Sequence, residues 1–152
     1  MRALLQRVSR AEVRVDGERI AAIGQGLLVL VGVGPADDPA IAQGLARKIA
    51  ELRIFEDERG RTNRSLFDVA GEALVVSQFT LFADTGSGRR PGFTGAAPPD
   101  VAIPLYEAFA AALEGQGVTV ARGRFGAEME VELVNNGPFT IWLDTQARDR
   151  SD

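Results

Sequence analysis

Leu27-Leu28-Val29-Leu30-Val31-Gly32-Val33 is an unbroken apolar run introduced by Gly24-Gln25-Gly26. A strand on a protein surface alternates apolar and polar side chains, so a run without alternation suits a strand covered on both faces. The run is also far shorter than the ~20 residues a membrane-crossing helix requires. The chain must therefore supply material for both sides of this strand. Its 152 residues, 45% of them hydrophobic, suffice for one sizeable core but not comfortably for two. One domain is expected over residues 1–144, followed by a polar tail, 145–152, without pattern and expected to fray.

On the N-terminal side of the run, Ala11, Val13 and Val15 alternate with Glu12, Arg14 and Asp16, and Asp16-Gly17 is a hairpin signal. On its C-terminal side, Asp38 precedes Pro39, the order that caps and starts a helix, and Ile41, Leu45, Ile49 and Leu52 follow at helical spacing. Arg53-Ile54-Phe55 reads as a short strand closed by a polar turn, and Ala73 to Phe82 as a second core strand. Ala83 to Pro99 holds four glycines and three prolines in seventeen residues, too long for a plain connector in a compact domain. Leu105, Phe109, Ala112 and Leu113 mark a second helix stopped by Gly115 and Gly117. That helix tolerates Pro104 only in its first turn. Val118 to Ala121, Met129 to Val134 and Phe139 to Leu143 complete the strands. Strands broken by two main helices, without strict alternation, indicate a single-domain α+β fold with mainly antiparallel sheet.

Histidine and cysteine are both absent. Ser-His-Asp triads, Cys-His pairs, thiolate metal sites and disulfides are therefore excluded, and any catalysis has to use other groups. A net charge of −4 opposes wholesale wrapping of nucleic acid, which needs a broad basic surface, while leaving room for a few phosphate contacts. The N-terminus lacks the basic flank, apolar stretch and cleavage site of a signal peptide. A cytoplasmic location is expected, with no membrane or DNA partner.

Two stretches carry candidate chemistry. Ser77-Gln78-Phe79-Thr80-Leu81 puts two hydroxyls and an amide at the end of an apolar strand. On a strand, Ser77, Phe79 and Leu81 would point one way, with Gln78 and Thr80 the other. The plain alternative is a strand end whose Ser and Thr satisfy local backbone groups. Asn135-Asn136-Gly137-Pro138-Phe139-Thr140 is a simple turn as bare pattern. The sharper alternative is a cis Gly137-Pro138 bond, which would fix the neighbouring carbonyls in an unusual direction.

These stretches occur together with Met1-Arg2-Ala3, Gln6-Arg7-Val8, Gly26 to Val33 and Leu52 to Asp57. Val76 to Leu81, Arg90-Pro91 with Phe93, Leu105-Tyr106-Glu107, Phe125-Gly126-Ala127 with Met129, and Asn136-Gly137-Pro138 continue the series. From end to end the chain resembles the D-aminoacyl-tRNA deacylase family, including its signatures Ser-Gln-Phe-Thr-Leu and Gly-Pro-x-Thr. The resemblance implies a barrel-like core and a homodimer. It also implies that Gly137-Pro138, held cis, reaches from one subunit into a site around Ser77, Gln78, Phe79 and Thr80 of the other. There it would reject L-residues sterically while admitting D-residues or glycine. Arg7 maps onto the arginine that holds this motif in the family, although an ordinary surface position is the alternative for it. Phe139 departs from the valine usual after Gly-Pro.

The implied reaction is hydrolysis of D-aminoacyl-tRNA, and of glycine mischarged on tRNA for alanine. Amide donors near Phe79 and Thr80 would form an oxyanion hole, and the ribose hydroxyl of the terminal adenosine would help to activate water. Thr80 as covalent nucleophile ranks second, since no imidazole is present to activate it. Arg89 and Arg90 are candidates for tRNA phosphates, with solvated loop positions as the alternative. Met129 is expected in the core, with a share in the substrate pocket as the sharper reading. Glu128, Glu130 and Glu132 share a strand face that reads better as solvated than as a metal site, so no metal and no cofactor is expected. A binding module without catalysis, or a generic esterase, are the competing classes.

Overall fold

The computed structural model describes residues 1–150, with side chains through Ala147; Ser151 and Asp152, the end of the expected tail, lie outside the described residues. The chain opens with a long strand, β1 (Arg2–Val15), which turns at Asp16-Gly17 into β2 (Glu18–Ile23). The apolar run becomes β3 (Gly26–Gly32), with six of seven residues buried. Helix α1 (Pro39–Glu51) is capped as expected, the Asp38 carboxylate accepting from the Ile41 N–H at 2.8 Å. A small hairpin, β4 (Phe55–Glu56) and β5 (Thr62–Arg64), leads to β6 (Glu72–Ser77). Helix α2 (Pro99–Gly115), β7 (Thr119–Arg122) and β8 (Glu130–Asp144) follow.

β1 organises the sheet. Along one edge it pairs with β3 through Arg2 to Val8 and with β2 through Ala11 to Val15, and along the other it pairs with β8 over nearly its whole length, all antiparallel. β3, β6 and β7 then run parallel to one another. A parallel pair needs a long crossover, which is what α1 with the hairpin, and then α2, provide. The sheet curls into a nearly closed, barrel-like wall. Because successive side chains alternate across it, β3 serves two cores. Leu27, Val29 and Val31 pack with α1 and α2, while Leu28 meets Val8, Val13, Leu74 and Val76 on the other face. This is the coverage that the apolar run demanded.

At Gly26 the backbone of β6 leaves no room for a side chain on β3. A Cβ there would lie 1.8 Å from the Glu72 carbonyl oxygen, so only glycine fits this crossing. At the other end of the sheet, the Met1 amino group is buried and donates to Asp37 Oδ1 at 2.6 Å and to Thr145 Oγ1 at 2.7 Å. Thr145, expected at the head of a fraying tail, instead donates its N–H to the Met1 carbonyl at 3.0 Å and begins a 3-10 turn, Thr145–Arg150.

Three local expectations are corrected. The second core strand ends at Ser77 rather than Phe82, and Phe79–Phe82 form a 3-10 turn. β6 stops because its partner does: Ser77 pairs with Val31, and β3 ends one residue later. α2 begins at Pro99, so Pro104 lies beyond the first turn. Pro104 and Asp100 are both exposed, and the carbonyl that loses its helical donor can be hydrated. Finally, residues 135–138 do not separate two strands. β8 is continuous, and a bulge forms where Gln6 pairs with Thr140 and Val8 with Asn135, leaving residues 136–139 opposite Arg7 alone.

Candidate active site

The end of β6 opens onto a cavity of about 620 Å³ whose walls include Ser77, Gln78 and Phe79 from the β6 end, Met129 before β8, and Phe93, Ala97 and Phe125 from loops. No charged side chain lines it. Once an occupant fills such a neutral surround, hydrogen bonds to a developing charge are strengthened, because competing water and counter-charges are then kept away.

The backbone at this point is built to leave donors free. Gln78 closes the ladder, its N–H donating to the Val31 carbonyl at 2.8 Å. The chain then tightens, with the Leu81 N–H reaching the Gln78 carbonyl at 3.3 Å and the Ala83 N–H the Thr80 carbonyl at 3.0 Å. The first N–H groups of any helical turn have no partner within it. Here those groups belong to Phe79 and Thr80, and no side chain caps them. Ser77 and Gln78 are half-buried, whereas Phe79 and Thr80 are exposed. The Gln78 side-chain amide donates to the Thr80 hydroxyl. With the turn in place, the alternating-face reading of Ser77 to Leu81 no longer applies.

Loop residues that the bare pattern does not single out form much of the wall. Phe93 meets Phe79 edge-to-face with centroids 5.1 Å apart. Behind the cavity, buried Tyr106 donates its hydroxyl to the Val75 carbonyl at 2.9 Å. Burial, reinforced by the neighbouring Glu107 carboxylate, pushes that phenol up to about 12, which keeps it a donor. Met129 is half-buried, packs on the inner core as expected and also lines the cavity. Arg89 and Arg90 are exposed at the tip of a loop pinned at its base by the Asp84 and Gly92 backbone pair.

The second candidate stretch lies elsewhere in the same chain. Gly137-Pro138 is cis, and Asn136, Gly137 and Pro138 are exposed in the β8 bulge, outside the lining of the cavity. Arg7 is 7% exposed, which removes the surface reading of it. Its guanidinium donates to the Ile54 carbonyl at 2.8 Å and to the Asn136 carbonyl at 3.1 Å, and stacks 4.7 Å from the centre of the Phe139 ring. The Phe139 N–H donates to Asn135 Oδ1 at 3.0 Å, closing the base of the bulge. Gly137 has φ +134°, and a Cβ there would come within 3.1 Å of Arg7 Nη2. Backbone conformation and lack of space both require glycine.

Of the acidic side chains weighed as a metal site, Glu132 pairs with Arg10 at 3.2 Å, and the Arg10 hydrogen bond chiefly lowers its pKa. Among the described residues no cluster of three potential ligands occurs, and no helix is long and apolar enough to cross a membrane.

A family model described as D-Tyr-tRNA(Tyr) deacylase matches residues 4–144. The D-aminoacyl-tRNA deacylase of Thermomicrobium roseum is 62% identical over 95% of this chain and 94% of its own length. That of Ruegeria pomeroyi is 61% identical over 95% and 99% respectively. A solved structure titled c-Myc DNA Unwinding Element Binding Protein superposes with TM-score 0.89 at 41% identity, covering 95% of this chain and 99% of that one. A second, described as a probable eukaryotic D-amino acid tRNA deacylase, shares the fold with TM-score 0.80 at 18% identity, covering 93% and 97%. The chain belongs to the D-Tyr-tRNA(Tyr) deacylase family.

Proposed function

We propose that this protein is a cytoplasmic hydrolase that cuts the ester between a D-amino acid, or glycine carried on tRNA for alanine, and the 3′ end of tRNA. It releases free amino acid and tRNA, and it works as a homodimer with its active sites at the subunit interface. One observation carries the reading: the cavity beside Ser77 to Phe79 and the Gly137-Pro138 corner are apart within one chain, and each is open to solvent. A second copy, contributing its corner to this cavity, completes the site.

The amide donors of Phe79 and Thr80 would bind the oxyanion formed when water attacks the ester carbonyl. Removing one such donor in other hydrolases costs on the order of 3 kcal/mol of transition-state stabilisation. An aminoacyl ester is reactive enough for this help, with the neighbouring ribose hydroxyl orienting or activating the water. Ser77 and Gln78 shape the rim, and Gln78 fixes the Thr80 hydroxyl by donating to it. Thr80 as nucleophile is disfavoured, because no charged group that could act as base lines the cavity.

The partner's Gly137-Pro138 would stand against Cα of the bound residue. A hydrogen fits against this corner, whereas an L side chain is driven into it, so D-residues and glycine pass. Arg7 holds the corner through the Asn136 carbonyl. Met129 supports the amino-acid side of the pocket, and Arg89 and Arg90 lie where a loop can meet phosphates of the acceptor end.

Incubating the protein with D-Tyr-tRNA, L-Tyr-tRNA and Gly-tRNA checks this directly. Release of D-tyrosine and glycine with L-tyrosine spared is expected; equal release of L-tyrosine would sink the chiral role, and binding without release would leave only a binding module. Thr80→Val should retain most activity, and a trappable acyl-enzyme on Thr80 would replace the amide mechanism with a covalent one.

A further inference from the structure

The positive charge of this acidic chain is unevenly distributed. Arg2, Arg7, Arg10, Arg14, Arg19, Arg64 and Arg122 each have a carboxylate partner. Of the cations without one among the described residues, Arg89 and Arg90 sit on the glycine-rich loop and Arg124 follows β7. The rest, Arg47, Lys48, Arg53, Arg59 and Arg61, gather on the end of α1 and the β4-β5 hairpin. Arg47, Lys48 and Arg53 border one open cleft of about 550 Å³, with Glu51 as its single acid.

The acids near this segment are mostly turned to other work. Asp57 accepts from the Arg59 and Arg61 N–H groups inside the hairpin, Glu58 pairs with Arg64, and Asp68 caps the Ser65 N–H. Glu56 faces Arg7 at 4.0 Å. An ordinary solvated face interleaves both signs so that neighbours neutralise one another. Here Asp57 and Asp68 are drawn into the backbone, Glu56 and Glu58 face other arginines, and the cations of the cleft are left outward. Arg53 is also held in position, its Nε donating to the Asn63 carbonyl at 2.9 Å.

The segment adjoins the motif that would face substrate. Ile54, next to Arg53, gives its carbonyl to Arg7, and the same guanidinium holds Asn136 beside Gly137-Pro138. If that corner enters the partner's cavity, RNA leaving the cavity must pass close to it. We infer that the Arg47, Lys48 and Arg53 cleft, flanked by Arg59 and Arg61, binds backbone phosphates of the tRNA acceptor arm whose 3′ end occupies the partner's cavity. The inference rests on the deacylase reading and extends it from the ester to the RNA. A row of cations grips phosphates without reading bases, which suits an enzyme that meets one terminal structure on many tRNAs.

The test compares D-Tyr-tRNA with D-tyrosyl-adenosine, which carries the same ester without the RNA body. An Arg47→Ala/Lys48→Ala/Arg53→Ala variant should raise KM for D-Tyr-tRNA about tenfold or more and flatten its salt dependence by about two to three units of log–log slope, roughly one for each phosphate no longer neutralised. The kcat on tRNA and turnover of D-tyrosyl-adenosine should stay at the wild-type level. Arg47→Ala/Lys48→Ala, which spares the hairpin contact of Arg53, should show an intermediate change. An unchanged KM and salt slope overturns the inference, and so does a parallel loss on D-tyrosyl-adenosine, which would mean damage to the site. Should the wild-type protein cleave neither substrate, the deacylase reading fails. The cleft is then judged by binding of uncharged tRNA, where equal affinity of wild type and triple variant overturns it.

Discussion

β3 and β8 both pair with β1 along opposite edges, yet they have opposite fates. β3 is buried on both faces, whereas β8 leaves Val131, Val134 and Trp142 between 36% and 49% exposed. β3 is paired along both edges, with β1 and β6, whereas among the described residues β8 pairs with β1 alone and keeps an open edge. The layer above differs as well: α1 and α2 cover β3, while nothing among the described residues covers the outer face of β8. Apolar side chains left bare on a strand with an open edge, beside a clamped Gly137-Pro138 corner, are what an interface with a second copy would use. One strand holds the fold, and the other presents a motif.

The contrast can be broken most forcefully at the glycines. Gly26→Ala forces a Cβ into the Glu72 backbone and should cost about 4 kcal/mol or more, the range of severe core disruptions; loss of soluble folded protein, or a large fall in denaturation midpoint, is the expected readout. On β8, Val134→Glu should leave the monomer folded but abolish dimerisation and reduce D-Tyr-tRNA hydrolysis by about a hundredfold or more, as a charge is placed where apolar burial is needed. Sedimentation and circular dichroism together test this, and a fully active monomer would remove the interface from the mechanism. Gly137→Ala comes next. Strain at its positive φ and the approach to Arg7 should cost about 1–3 kcal/mol locally, seen as a ten- to hundredfold loss of activity or of D-over-L selectivity with the melting transition little changed. If Gly137→Ala unfolds the protein as Gly26→Ala does, the distinction between the two strands fails.

These two strands are unequally legible in the sequence. The apolar run of β3, the Asp38-Pro39 start of α1 and the Asp16-Gly17 turn are readable because each is decided by residues adjacent in the chain. The end of β6 is not, because a strand lasts only as long as its neighbour, and Ser77 pairs with the penultimate part of β3. Gln78 to Phe82 alone neither require nor refuse a longer strand, since their apolar content suits a strand or a tight turn equally. Asn135 to Pro138 read as a turn because Gly and Pro punctuate turns. The bulge depends on Arg7, about 130 positions away in the chain, which bonds to Asn136. Pro104 misleads in a similar way, because Pro98 and Pro99 already start the helix. For the site, Ser77 to Thr80 are legible as chemistry, but the free amides of Phe79 and Thr80 belong to backbone geometry and leave no trace in side-chain identity. Phe93 and Phe125 are visible through family resemblance, not through their own spacing.

The smallest effect sharpens the buried side of the comparison. Tyr106 secures β6, the partner of β3, through its hydroxyl to the Val75 carbonyl, and Tyr106→Phe should cost about 1 kcal/mol by leaving that acceptor unmatched. The pH dependence gives the sign. The phenol moves from an ordinary 10.0 to about 12 in the folded chain, so between those values the unfolded state loses the proton while the folded state keeps it. Stability from this group is complete below about pH 10, declines as pH rises and levels off above about pH 12. The advantage of wild type over Tyr106→Phe in urea unfolding should therefore be constant from pH 7 to 9 and shrink from pH 10 upward. Since every other group is common to both proteins, the difference isolates Tyr106. A gap that widened with alkali would mean that the folded state favours the phenolate, and the hydroxyl would then not be the clamp that ties the helical layer to the core strands.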